Sequence, residues 1–170
     1  MSKSMERLVV AGAVGVFIGG AFLGVNLAFS EPESVAEEPA CEVREIAPGE
    51  VLSSNLVMVD VYNASKRAGL ANRVKINLER RGFLGGVTKN NPGKLSPKNV
   101  AVLSADPQDP RAKLVAAQFK GKVQRIKPDF VVDNDISVLV GPDYSGFRDA
   151  RTKLRTDTAV TVCVPAITLP

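Results

Sequence analysis

The sequence predicts an α/β protein. A small β-sheet carries two helices packed on one face, in the order β-α-β-β-α-β plus a C-terminal strand, and one transmembrane helix precedes it. Three observations carry this expectation. Leu8 to Phe29 is a 22-residue run without a charge. Further along, β-rich runs precede two stretches whose apolar residues recur at helical spacing. Turn-forming clusters of Gly, Pro and Asn separate these segments.

Residues 1–7 form a short N-terminal tail and residues 8–29 the membrane helix. At its usual rise the run makes about 33 Å of helix, enough to cross a hydrocarbon core of about 30 Å. Its rival is a cleaved signal peptide, because Ala28-Phe29-Ser30 offers small residues at a cleavage spacing. The apolar core of such a peptide usually spans only about 7–15 residues. Lys3 and Arg7 precede the run, and Glu31, Glu33, Glu37 and Glu38 follow it. The positive-inside rule then makes this a single-pass plasma-membrane protein, with a cytoplasmic N-terminus and an extracytoplasmic C-terminal domain. Gly15 and Gly19, and Gly20 and Gly24, are each spaced as Gly-x-x-x-Gly. That spacing lets membrane helices approach closely, although Gly is common in such helices anyway. Association of the helix with itself, as a homodimer, and with an envelope enzyme both stay open.

Residues 30–50 read as an acidic linker, with seven Glu and one Arg over 31–50. Such a segment stays extended because its charges repel and it has little to bury. Residues 51–170 form the domain and carry net +9, so the whole-chain +4 hides a segregation of charge. Leu56 to Tyr62 predicts a central strand, and Lys66 to Arg81 a helix with Leu70, Ala71, Val74 and Leu78 on its inner face. Gly82 ends that helix, and Phe83 to Thr88 is a further strand. Asn90 to Lys98 is a loop, and Val100 to Leu103 a third strand. The second helix opens on Asp109 as N-cap and Pro110 at its first position, with Gly121 beyond its end. Its inner face is Ala112, Val115, Ala116 and Phe119. Val123 to Ile126 and Ile136 to Val140 are strands, Phe147 to Arg155 is a basic amphipathic stretch, and Ala159 to Val164 is the last strand.

The chain has no histidine, which removes Ser-His-Asp triads, Cys-His pairs and His-based zinc sites. No catalytic residue, metal site or cofactor is expected. Asp129, Asp133 and Asp135 cluster, and paired carboxylates cleave glycosides in some enzymes. The plainer reading is a loop with Asp and Asn as turn formers. The turn Asn63-Ala64-Ser65-Lys66-Arg67 follows a strand and opens a helix, where free N–H groups and two cations favour an anion. Equally, Asn63 and Ser65 serve there as helix caps. Basic residues recur at Arg73, Lys75, Arg80 and Arg81, at Lys120, Lys122, Arg125 and Lys127, and at Arg148, Arg151, Lys153 and Arg155. Such a surface attracts anionic partners. Nucleic acid is excluded by the expected compartment and by the few aromatic residues. Cys41 and Cys163 both fall in the outer portion, where two cysteines predict a disulfide; unrelated thiols or an intermolecular bond are the alternatives.

Two runs resemble a known family. VDVYNASKRAGLANRVKINLERRGF, Val59 to Phe83, and DISVLVGPDY, Asp135 to Tyr144, are similar to the opening and closing motifs of the LytR C-terminal domain. The resemblance covers about residues 54–145 and leaves out the linker, Cys41 and the tail from Gly146. In that family the domain often follows a LytR-type catalytic domain that attaches polymers to peptidoglycan. This length leaves no room for one. The resemblance therefore implies the free-standing, membrane-anchored type found in actinobacteria and linked to cell-envelope integrity. The expected function is a non-catalytic envelope scaffold that binds wall polymer (peptidoglycan or an anionic wall glycan) or polymer-attaching enzymes. The alternative is a wall-glycan-acting enzyme using the Asp129–Asp135 region. A sensor is a third reading, for which a tail of about seven residues leaves little machinery.

Overall fold

The computed structural model describes residues 41–165. The membrane helix expected over 8–29, with Gly15, Gly19, Gly20 and Gly24, lies outside them, as do the cleavage point after Ser30 and the linker up to residue 40. Among the described residues, no helix is long and apolar enough to cross a membrane.

Among the described residues, nine strands and two α-helices follow in order: β1 (Cys41–Ile46), β2 (Val51–Ser53), β3 (Met58–Asn63), α1 (Leu70–Glu79), β4 (Leu84–Asn90), β5 (Val100–Leu103), α2 (Pro110–Ala116), β6 (Val123–Ile126), β7 (Ser137–Val140), β8 (Lys153–Arg155) and β9 (Val160–Pro165). A single 3₁₀ turn, Ser54–Leu56, precedes β3. The main sheet has five strands in the order β4-β3-β7-β5-β6. β3 runs parallel to β4 and to β7, β5 runs parallel to β6, and β5 and β7 are antiparallel.

This topology explains why both helices share a face. β3-α1-β4 and β5-α2-β6 are two parallel crossover units that point in opposite directions and step outward from the central β7. A half-turn about the sheet normal relates them. Crossovers of this kind are right-handed. Two right-handed units related by that half-turn must put their helices on the same side.

The packing follows the two-residue alternation of strands. Val59, Val61, Val100, Val102, Val138 and Val140 meet Leu70, Ala71, Val74 and Leu78 of α1 and Ala112, Leu114 and Val115 of α2. Tyr62, Ala101, Leu103 and Leu139 face the other way, and loop residues Leu95, Phe130 and Val132 cover them. The inner strands are thus buried on both faces, which is why β5 reads as an unbroken apolar run and β7 as one apart from Ser137. The face expected for the first helix is the one buried. In the second, Ala116 is only half-buried, and Leu114 takes the inner position instead.

Four boundaries differ from expectation. The first helix opens at Leu70, four residues later than the spacing predicts, with Gly69 as N-cap. Asn63 and Ser65 therefore do not cap it. It closes at Glu79, and Gly82 supports the exit with φ +86, a left-handed conformation natural to glycine. Second, Cys41–Ile46 lies in the expected linker yet forms a strand, paired antiparallel with β9 from Cys41↔Pro165 to Ile46↔Val160. A partner strand and burial of Ile46, Val160 and Val162 outweigh the local charge. Each such burial is worth about 1.5–3 kcal/mol. Third, β2 also lies at the domain's start and pairs with β8. Fourth, the amphipathic stretch 147–155 is extended: Phe147 bridges to Phe119, and Lys153–Arg155 is β8.

The segments before β3 and after β7 therefore hold one another. Thr156 fixes the junction: its N–H donates to Glu50 O at 2.9 Å, its hydroxyl to Ala47 O at 2.9 Å, and its carbonyl accepts from Gly49 N at 2.8 Å. Arg155 adds a bond to the Gly49 carbonyl.

Candidate functional site

The tail after β7 builds a basic cleft against α2. Its anchor is Gln118, which is fully buried at the end of that helix. Its side-chain amide donates to Leu114 O at 3.1 Å and to Arg151 O at 2.9 Å, and its carbonyl oxygen accepts from Arg81 Nη1 at 3.3 Å. The Gln118 backbone carbonyl accepts from Arg148 N at 2.9 Å, and Lys120 N donates to Gly146 O at 2.9 Å. An aromatic group completes the attachment. Phe147 stacks on Phe119 with centroids 4.8 Å apart, Tyr144 meets both rings edge-on, and Arg81 lies 4.9 Å above the Phe147 ring. Burial pushes the Tyr144 hydroxyl up to about 12, against the lowering effect of Arg81 and Arg67.

Between this tail and α2 lies a cleft of about 600 Å³. Lys113 comes from the helix, and Arg148, Arg151, Lys153 and Arg155 come from the tail; Asp149 is the one carboxylate among the lining residues. Leu114, Ala117 and Leu154 give it an apolar floor. Five cations against one anion line this partly apolar trough, and such a charge balance favours anions over cations. Sequence reading singled out the four tail cations but not Lys113 or Gln118. A glutamine beside the apolar stripe of α2 was the available signal, because a buried amide needs partners.

The structure does not bring the Asn63–Arg67 turn into this cleft. Asn63 Oδ1 accepts from Ser65 N at 3.0 Å and from Ser65 Oγ at 2.8 Å, while Asn63 Nδ2 donates to Arg67 O at 3.0 Å. Ser65 Oγ accepts from Arg67 N at 3.1 Å. The turn's side chains thus bind its own backbone. Lys66 and Arg67 are exposed, in the loop before α1 rather than on its first turn.

The three clustered carboxylates tie their own loop to a neighbouring loop, to the sheet and to α2 in turn. Asp129 Oδ2 accepts from Lys94 N at 2.8 Å and Leu95 N at 3.0 Å. Asp133 accepts from the Tyr62 hydroxyl at 2.7 Å and from Lys89 at 2.7 and 2.8 Å. Lys89, then Tyr62, hold the Asp133 carboxyl below the usual range. Asp135 pairs with Arg111 at 2.8 Å. Arg111 also grips Asp109 at 2.7 Å and donates to Thr161 O of β9 at 2.9 Å. Burial works against its charge, but the bonds to Asp109 and Asp135 outweigh that and hold its pKa above the usual value. Asp60 is also fully buried. It accepts from Val87 N at 2.9 Å, where β4 carries an extra residue against β3, and from Asn134 N and Nδ2 at 2.8 Å.

Fold and site together define a two-helix, mixed-sheet α/β domain with an added terminal ribbon and a cationic cleft. Its family is given by a match over residues 56–144 to the model described as LytR cell envelope-related transcriptional attenuator, and the chain belongs to that family. This confirms the resemblance read from the two motifs and gives the protein a cell-envelope association. The matched span ends before the tail that builds the cleft. No curated protein matches the chain. Among solved structures it is similar to the soluble domain of a conserved hypothetical secreted protein from Mycobacterium marinum, at 20% identity and TM-score 0.47, over 62% of this chain and 70% of that one.

Proposed function

We propose that this chain is a single-pass, membrane-anchored and non-catalytic envelope protein. Its extracytoplasmic domain binds an anionic wall polymer and so positions wall-assembly enzymes at the plasma membrane. The observation that carries the reading is the meeting of Lys113, Arg148, Arg151, Lys153 and Arg155 in one cleft with an apolar floor. The uncharged run 8–29 supports the anchor, and its glycine pairs support association between anchors in a homodimer. The non-catalytic reading is supported by Asp129, Asp133 and Asp135 each being held by protein donors.

Sedimentation of the full chain with isolated cell-wall material tests it. Arg148→Glu with Arg151→Glu should remove retention, and rising salt should weaken it. Retention unchanged by the double reversal would sink the cleft as the polymer site. Lys66→Ala with Arg67→Ala, outside the cleft, is the matching test of anion capture at the Asn63–Arg67 turn. Release of sugar from the same material, lost on Asp133→Ala, would establish the enzyme instead.

The reading includes a disulfide between Cys41 and Cys163. They are the chain's two cysteines, they lie one diagonal step apart in the β1–β9 register, and no cysteine is free among the described residues. Closing so long a loop contributes about 4–5 kcal/mol in the chain-entropy model. Peptide mapping without reduction should recover the two linked; two alkylatable thiols would refute it.

A further inference from the structure

We propose that the free edge of β6 docks an extended acidic peptide, which adds to the sheet as a further strand. β6 ends the five-strand order and, among the described residues, pairs only with β5. Along a strand, the N–H and C=O of one residue point to the same edge and those of the next to the other. The Ile126 carbonyl accepts from Ser104 N at 3.1 Å, and the Lys122 carbonyl accepts from Asn99 Nδ2 at 3.2 Å. Residues 122, 124 and 126 therefore turn their backbone groups toward β5. Val123 and Arg125 turn theirs outward, along the unpaired edge.

A groove of about 440 Å³ lies beside this edge. Leu95, Pro97, Val100 and Ile126 give it an apolar lining, and Lys98 and Lys122 line it as well. A peptide bonded to Val123 and Arg125 would hold alternate side chains over that groove, which is how strand addition combines affinity with selectivity. The opposite edge is less suited. β4 is kinked by its extra residue opposite Asp60, and such bulges blunt an edge.

Charge selects the occupant. Lys98 and Lys122 line the groove, Arg125 lies in β6 itself, and Lys127 follows it. The nearby Asp129 carboxylate is taken up by Lys94 N and Leu95 N. A second copy pairing through β6 would set these cations against themselves, which disfavours self-pairing. An acidic strand is complementary. The edge shares no residue with the basic cleft, so this site stands or falls separately from polymer binding.

The test titrates a labelled eight-residue peptide of alternating glutamate and valine against the full chain in detergent micelles, read by fluorescence anisotropy. Saturable binding is expected. A counterpart N-methylated on both edges keeps the charge but loses its donors, and should bind at least about tenfold more weakly. Arg125→Pro removes one outward N–H and leaves the β5 ladder, which uses residues 124 and 126, intact. It should weaken binding about tenfold relative to Arg125→Gln. Lys98→Glu with Lys122→Glu should abolish binding. The methylated-peptide comparison uses the unaltered protein and stands even if a variant misfolds. Equal binding of methylated and parent peptides would overturn strand addition in favour of general polyanion attraction. Failure of the parent peptide to bind would overturn the site. Self-association removed by Arg125→Pro would make the occupant a second copy and overturn the acidic peptide.

Discussion

The Tyr62 hydroxyl donates to Asp133 Oδ2 at 2.7 Å, joining β3 to a loop 71 residues further along the chain. Lys89 reaches the same carboxylate from β4, and the Phe130 ring meets Tyr62 edge-on at 5.0 Å. These contacts close the loop over the sheet face that carries no helix. Tyr62→Phe keeps the ring and removes the bond. It should cost about 1–2 kcal/mol in urea unfolding, with an unchanged m-value.

Burial, then the bond to Asp133, push the Tyr62 hydroxyl up to about 12. The unfolded chain releases this proton near pH 10 and the folded one holds it, so the contribution is complete below pH 10 and lost as pH rises toward 12. Stability should therefore fall across pH 10–12, and Tyr62→Phe should flatten the fall. Asp133 acts at the other end. Its folded pKa is depressed, so its contribution is present above the ordinary carboxylate range and is lost on acidification through the folded value. Thermal melts across both windows check the pair.

Arg111 ties the start of α2 to β9 through Asp109 and the Thr161 carbonyl. The Asp109 side chain is only 10% exposed, so Arg111→Met leaves a largely buried carboxylate without its partner. A loss of about 2–4 kcal/mol is expected. Amide exchange of Val160–Val162 should accelerate more than that of β5, because the β9 contact is lost directly.

Gln118→Leu should detach the tail before it unfolds the sheet. The Arg151 carbonyl and the Arg81 guanidinium would lose a buried partner, at a cost of about 1–3 kcal/mol. Proteolysis between Phe147 and Arg155 should appear while the five-stranded sheet keeps its far-UV dichroism. Retention on wall material should drop with it, since the cleft loses the wall that carries four of its cations.

Gly141 follows β7 where its N–H donates to Asn99 O at 2.7 Å. A Cβ there would overlap the Pro97 carbonyl oxygen and press on the Lys98 backbone, and neither can rotate away. Gly141→Ala should destabilise by more than about 3 kcal/mol, visible as a lowered denaturation midpoint. Gly146→Ala is not the matching control, because Gly146 has φ +92 despite open space around it.

Helical periodicity alone located the inner face of α1, and Asp109-Pro110 located the start of α2, because both signals lie within one or two turns of chain. The start of α1 is not legible in the same way: Asn63 and Ser65 are good capping residues, yet they bond within their own turn, an alternative that local spacing does not distinguish. The cleft was half legible. Arg148, Arg151, Lys153 and Arg155 stand out as charges in sequence, but Lys113 joins them only because Gln118 fastens the tail to α2.

By itself the sequence determined the uncharged N-terminal run, the separation of acidic from basic stretches, the inner face of α1 and the family. Each is written in neighbouring residues, as composition, period or motif. Tertiary structure alone decided the strand order, the pairing of β1 with β9 and β2 with β8, and the commitment of Asp129, Asp133 and Asp135 to holding a loop. Those outcomes depend on partners scores of residues apart. Cys41–Ile46 reads as charged linker until β9 arrives to pair with it, and that pairing, with the burial of Ile46 beneath it, outweighs the preference of its own residues.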